Sequence, residues 1–143
     1  MLDWRGQRVA DNTILATGRA MNGLLADCVV EAKQRVPVRT SVLQGSIQMR
    51  PARQLDADTL VAYWGSFAVR YARFVEEGTA PHIIRPRTAG ALYWPGAAHP
   101  VPLVHHPGSR ARPFLKPVAE QRYPELPTRI RYELAKSAGR KLR

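Results

Sequence analysis

Residues Asp11 to Arg35 contain no proline, and Pro37 stands directly beyond them. That pairing constrains the fold more than any other feature of the chain. Ile14, Gly18, Met21, Leu25, Cys28 or Val29, and Ala32 recur every three or four positions, which places them on one face of a helix. Asp11 and Asn12 have the side chains that cap a helix start. Pro37 disfavours helical geometry at Val36 and so ends the helix. Gly18 and Gly23 lower the intrinsic helix propensity and leave room for another backbone to come close. Tertiary packing against the apolar stripe must therefore hold this helix together.

The chain after Pro37 changes period. Ser46 to Arg53 alternates, with Ile47, Met49 and Pro51 opposite Gln48 and Arg50. Asp56-Ala57-Asp58 reads as a turn, and Thr59 to Gly65 alternates again. An antiparallel hairpin is predicted, with Pro51 requiring an edge position for the first strand. Val69 to Glu77 returns to helical spacing through Tyr71, Phe74 and Val75, and Gly78 is placed to end it. Glu76 and Glu77 fall at the helix C-terminus, where the dipole disfavours them, so each is expected to pair with arginine in this chain or across a subunit boundary.

Thr79 to Gly90 reads as a loop. Ala91-Leu92-Tyr93-Trp94 and Val101 to Val104 read as short strands about Pro95-Gly96, and His106-Pro107-Gly108 as a turn. Pro113 or Pro117 starts the last helical region, anchored by Phe114, Leu115 and Val118. Pro124 and Pro127 must kink or interrupt it before Leu126, Ile130 and Leu134 continue a stripe into the basic tail from about 128 to 143. The fold class expected is α+β: a long N-terminal helix, a small antiparallel sheet, a short connecting helix and a proline-kinked C-terminal helix. With 143 residues, 45% of them apolar, a single domain spanning 1–143 with one modest core is expected. No stretch is apolar enough to span a bilayer, and the opening residues lack a secretory pattern, so a soluble intracellular product is expected.

Cys28 is the sole cysteine and fits a buried apolar filler better than a nucleophile. His82, His99, His105 and His106 raise the question of a metal or catalytic centre. They show no metal-ligand spacing, and His105 and His106 would point to opposite faces of a strand. His106, before Pro-Gly, reads as a turn residue bonded to backbone. Ser41 and Ser46 lack a nucleophile-elbow context, and there is no nucleotide-binding glycine loop. No cofactor, catalytic residue or metal ligand is assigned. Trp64, Tyr93 and Trp94 lie in apolar runs and are expected to pack rather than stack on bases.

Charge is the remaining lead. The net charge is +11; residues 1–84 carry +2 (10 basic, 8 acidic) and residues 85–143 carry +9 (12 basic, 3 acidic). Solubility alone does not require such asymmetry, which favours contact with a polyanion or an acidic protein surface. Arg85 and Arg87 flank Pro86, and Arg110 and Arg112 flank Ala111. Arginine on such loops suits phosphate or a charged interface, without base readout. These four are the candidate DNA-facing or interface residues.

Four blocks, in order, resemble the small neck and tail-completion family of lambdoid tailed phages. Pro37 to Ile47 is similar to its "P-V-x-T-G-x-L-x-x-S-I" segment, with Ser41 standing where the family usually has glycine and Arg39 where it is often acidic. Tyr71 to Thr79 is similar to "Y-A-x-x-V-E-x-G-T", extended by Pro81 to Pro86. Ala91 to Trp94 resembles its short apolar strand. Val104 to Gly108 and Arg112 to Pro117 resemble the closing "V-x-H-P-G … P-F-L-x-P", making Gly78, His106, Pro107, Gly108, Pro113, Phe114, Leu115 and Pro117 motif positions.

The resemblance implies a structural virion protein, not an enzyme. It implies a homo-oligomeric ring, hexameric in expectation, between portal or adaptor proteins of the head and the terminator or tube proteins of the tail. DNA would pass through it with non-specific contact only. The protein would assemble in the host cytoplasm and reside in the virion neck, with no membrane partner. The alternative position is that of a tail terminator capping the tube. A free-standing DNA-binding protein and a metal-dependent nuclease using His82, His105 and His106 are the weaker readings.

Overall fold

The computed structural model describes residues 6–39, 41–88 and 90–139. The fold is α+β, in the element order expected. Helix α1 (Gly6–Arg35) leads, followed by a single turn α2 (Val42–Ser46) and strands β1 (Ile47–Gln54) and β2 (Leu60–Ser66). Then come α3 (Ala72–Glu77), β3 (His82–Ile84), β4 (Val104–His106), α4 (Lys116–Arg122), a 3-10 turn over Tyr123–Glu125, and α5 (Leu126–Gly139). The basic tail beyond 139 lies outside the described residues. The chain divides into two compact units: residues 1–69 with 114–143, and residues 70–113.

In the first unit α1 begins at Gly6, so Asp11 and Asn12 are interior helix residues rather than caps. Nothing between Gly6 and Asp11 breaks a helix, and the propensity cost of Asp and Asn inside is small. The buried face runs Ala16, Ala20, Leu24, Leu25, Cys28, Ala32, with Val36 just beyond. It shares only Leu25, Cys28 and Ala32 with the expected stripe. The face is built on alanines four apart, which an eye for bulky residues passes over. Small side chains there let α1 lie close on its neighbours: it packs on β1, β2, α4 and α5. An added Cβ at Gly18 would sit 3.9 Å from the Ala52 Cβ, an ordinary contact, so the close approach expected there is not one that requires glycine.

The hairpin forms as read from the alternation. β1 and β2 pair antiparallel from Ile47↔Ser66 to Gln54↔Leu60, with a bulge between Arg50 and Arg53. Pro51 falls inside that bulge, where the absence of an N–H is harmless. The Ala52 N–H, freed from the ladder, donates to Asn22 Oδ1 of α1 at 2.7 Å. Ser41 has φ 59° and ψ −7°. It thus adopts the left-handed geometry that glycine takes most readily.

The C-terminal prolines act as expected. Pro117 sits in the first turn of α4, Pro124 falls in the 3-10 turn, and Pro127 opens α5. Phe114 and Val118 are fully buried, each contributing about 1.5–3 kcal/mol of apolar burial. Leu126, Ile130 and Leu134 are half-buried along α5.

A shared ionic lattice joins α1 to the C-terminal helices. Arg122 donates to Glu31 (2.8 Å) and Glu125 (3.1 Å), while Arg129 reaches Asp27 (2.6 Å) and Glu125 (2.8 Å). The Arg122 hydrogen bond is the main force holding the Glu31 carboxyl below its ordinary range. Arg129 does the same first for Glu125. A carboxyl depressed in the folded state stabilises above its unfolded pKa, and that contribution is lost as pH falls through the folded value. Thermal unfolding followed from pH 6 to pH 3 is therefore expected to show the melting temperature dropping below about pH 4.5, the ordinary glutamate range. The Glu31→Gln variant should show a shallower drop.

Candidate functional site

The segment 70–113 holds most of the motif residues, and there the two sequence blocks become one object. α3 ends at Gly78, whose φ of 74° and ψ of −174° suit glycine best. The next residue, Thr79, pairs with Ser109: Thr79 N–H to Ser109 O at 3.0 Å, and Ser109 N–H to Thr79 O at 3.1 Å. Their hydroxyls meet at 3.0 Å, and the Thr79 hydroxyl also accepts from the Ser109 N–H at 2.9 Å. The Arg112 N–H closes on Val75 O at 2.8 Å.

Both glycines exist because the two strands cross so closely. A Cβ on Gly78 would lie 2.6 Å from Ser109 O and 2.7 Å from Ala111 N. Gly108, at φ 86°, would drive a Cβ into Thr79 O and to 2.9 Å from the Ala80 carbonyl carbon.

The ladder continues through β3 and β4, which pair as His82↔His106, Ile83↔His105 and Ile84↔Val104. β3 corrects the expectation of a loop over 79–90. Ile83 and Ile84 are β-branched and bracketed by Pro81 and Pro86, so only a three-residue strand fits. β4 lies over Val104–His106, while Val101 makes only an isolated bridge to Leu92 through bonds of 2.8 and 3.0 Å. His106 does serve its turn: Nδ1 accepts the Gly108 N–H at 3.0 Å. His82 stacks on it, ring centres 5.0 Å apart, with its own Nδ1 2.9 Å from Ala80 O. His105 is exposed. Among the described residues no group of three or more His, Cys, Asp or Glu could hold a metal ion.

The four candidate arginines, Arg85, Arg87, Arg110 and Arg112, are exposed and make no ion pair among the described residues. They do not form one patch. Arg85 and Arg87 follow the Ile84↔Val104 end of the ladder, whereas Arg110 and Arg112 follow the Thr79–Ser109 end. A polyanion meeting both pairs must run the length of the hairpin. Glu77 is bonded within its own helix to Arg73 at 2.8 Å, with both side chains well exposed, and Glu76 is half-buried. With Phe74 and His82, the Arg73–Glu77 pair lines an open hollow of about 520 Å³.

Tyr93 and Trp94, expected to pack, are 69% and 46% exposed. Phe74 is 56% exposed, and Tyr71, Ile83 and Ile84 are also open to solvent. A segment so short and so rich in proline cannot enclose its own apolar side chains, and among the described residues of 70–113 only Ala72 is buried. The cue in the sequence was a density of aromatic and β-branched residues beyond what two short strands can cover.

Cys28 is fully buried in the other unit, and desolvation raises its thiol pKa, so it stays an unreactive thiol at neutral pH. Among the described residues no helix is long and apolar enough to cross a membrane. No family model matches the chain, and neither a curated protein nor a solved structure matches it.

Proposed function

We propose that this chain is a structural virion protein of the phage neck, forming a ring that joins the head to the tail and lets DNA pass. One observation carries the reading. Two of the four blocks that carry the family resemblance are clasped together at Thr79–Ser109, in a segment that leaves Tyr71, Phe74, Ile83, Ile84, Tyr93 and Trp94 exposed. Exposed apolar side chains of that number mark a surface made for another protein. Contacts between unlike surfaces of identical copies form rings when the rotation between copies closes. Arg85, Arg87, Arg110 and Arg112, exposed and without an ion pair among the described residues, suit phosphate or an acidic neighbour, and their backbone-type contact would let a genome slide.

The portal or adaptor proteins on one side and the terminator or tube proteins on the other are the partners this reading requires. Native mass spectrometry of the purified chain, together with protein composition of intact particles, tests it. A closed oligomer and presence in particles are expected. A chain that stays monomeric beside its head partner and is missing from particles overturns the proposal.

A further inference from the structure

The two edges of the β1–β2 sheet are unlike. Ser46 and Phe67 share a ladder hydrogen bond just before the register begins, as do Leu55 and Thr59 at its far end. Bonded and non-bonded pairs alternate along an antiparallel ladder. With the register on either side of the bulge, this turns Val61, Tyr63 and Gly65 toward β1. The main-chain groups of Leu60, Ala62, Trp64 and Ser66 then point away from it, to the free edge of β2.

On the β1 edge the outward positions Ile47, Pro51 and Ala52 are dealt with. The Ile47 N–H goes to Gln44 O, Pro51 has no N–H, and the Ala52 N–H is taken by Asn22. Arg50, held over the Phe67 ring at 4.7 Å, and Arg53 add charge, and the bulge distorts the strand. These are the devices by which proteins close a sheet edge. β2 has none of them. It is seven residues without a charge, a proline or a bulge, and its outward N–H groups find no acceptor among the described residues. A cleft of about 340 Å³ runs beside it, bounded by Met21, Leu24 and Leu25 of α1 and by Tyr123 and Leu126. No lining residue is charged and none comes from β1, and within it the Trp64 Nε1–H donates to the Tyr123 hydroxyl at 2.9 Å.

We infer that β2 is an interface strand and that its partner is β2 of a second copy, paired antiparallel across a two-fold axis at Tyr63. The chemistry selects that partner. A row of outward N–H and C=O groups is matched along its whole length by another extended backbone, and an uncharged apolar cleft by uncharged side chains. Leu60–Ser66 of another copy supplies both. Antiparallel pairing about Tyr63 sets Leu60 opposite the other Ser66 and Ala62 opposite the other Trp64. Each outward N–H then meets an outward C=O, and a small side chain faces a large one. The half-exposed Tyr63 rings meet at the axis. The resulting four-stranded sheet ends on two β1 edges, where Pro51, the bulge and the charges of Arg50 and Arg53 oppose further pairing. This contact uses like surfaces and stands independently of the ring proposed above, which needs unlike ones.

Amide hydrogen exchange read residue by residue, with sedimentation in parallel, tests it. A species of twice the chain mass is expected, with Leu60, Ala62, Trp64 and Ser66 amides exchanging at least tenfold more slowly at high than at low protein concentration. Val61, Tyr63 and Gly65 should be protected at both. Ala62→Pro removes one outward N–H while leaving the bonds to β1, and Tyr63→Lys sets two like charges at the axis from an exposed position. Each is expected to abolish the slow exchange of the even-numbered amides and the two-copy contact, with an unchanged circular dichroism spectrum. Fast exchange at the even-numbered amides at every concentration overturns the inference. If larger closed oligomers form nonetheless, the ring reading survives it; if nothing associates, both fall.

Discussion

Replacing Gly108 with alanine is expected to unfold the 70–113 segment while the rest of the chain stays folded. Two penalties combine. Alanine at φ 86° costs about 1–2 kcal/mol from the left-handed backbone alone. The added Cβ also meets Thr79 O and the Ala80 carbonyl. Neither obstacle is a flexible side chain. Both belong to a backbone tied on each side of the crossing by the Thr79–Ser109 pair, so relief requires breaking those bonds. The expected loss is at least about 3 kcal/mol, in the range reserved for a named structural conflict.

Gly96→Ala separates the two penalties. Gly96 has a similar φ of 97°, but nothing lies within 4 Å of an added Cβ. Only the backbone penalty of about 1–2 kcal/mol applies there. Urea unfolding followed by the Thr79 and Ser109 amide signals measures both variants. Equal losses at 96 and 108 would mean that the crossing is not held as tightly as its hydrogen bonds indicate. Under the proposed function Gly108→Ala also abolishes assembly, because the exposed apolar side chains lose the frame that presents them.

What the sequence made legible is what neighbours in sequence decide. α1 was readable because proline is absent from 11–35 and present at 37. The hairpin was readable because alternation and an Asp-Ala-Asp turn are local signals. The break between α4 and α5 was readable because Pro124 and Pro127 act where they stand. β3 was hidden: a three-residue strand between Pro81 and Pro86 has no period to detect, and its stability comes from Val104 to His106, about twenty residues away. The buried face of α1 was hidden in part because alanine is a weak hydrophobic signal and a strong packing one. For the candidate site the sequence supplied both blocks and the four arginines. It could not show that the blocks clasp each other or that the arginine pairs lie at opposite ends of a ladder, since strand pairing alone determines both.

Charge teaches the same lesson. The +9 balance of residues 85–143 looked like a one-sided patch. Yet Arg122 and Arg129 spend their charge on Asp27, Glu31 and Glu125, two of which come from α1. The arginines left without ion pairs on the 85–88 and 109–112 loops are the better measure of what an anionic partner would meet.

Phe114→Ala is the second large effect expected. Phe114 is fully buried directly ahead of α4, in the motif Pro113-Phe114-Leu115-Lys116-Pro117, and Val118 beside it in sequence is equally buried. Truncating a buried phenylalanine costs about 3–5 kcal/mol, partly lost transfer energy and partly the cavity left behind. A domain of this size has only about 5–15 kcal/mol in total, so the urea midpoint should fall by roughly a fifth or more at an unchanged denaturant slope. Phe74→Ala gives the contrast. Its ring is 56% exposed, and removing it should move stability by no more than about 0.5 kcal/mol. If Phe74 belongs to a surface made for another subunit, the same variant should instead weaken assembly. One phenylalanine then carries folding and the other association, and a Phe74→Ala protein that is as stable and as fully assembled as the parent would remove the exposed α3 face from the proposed interface.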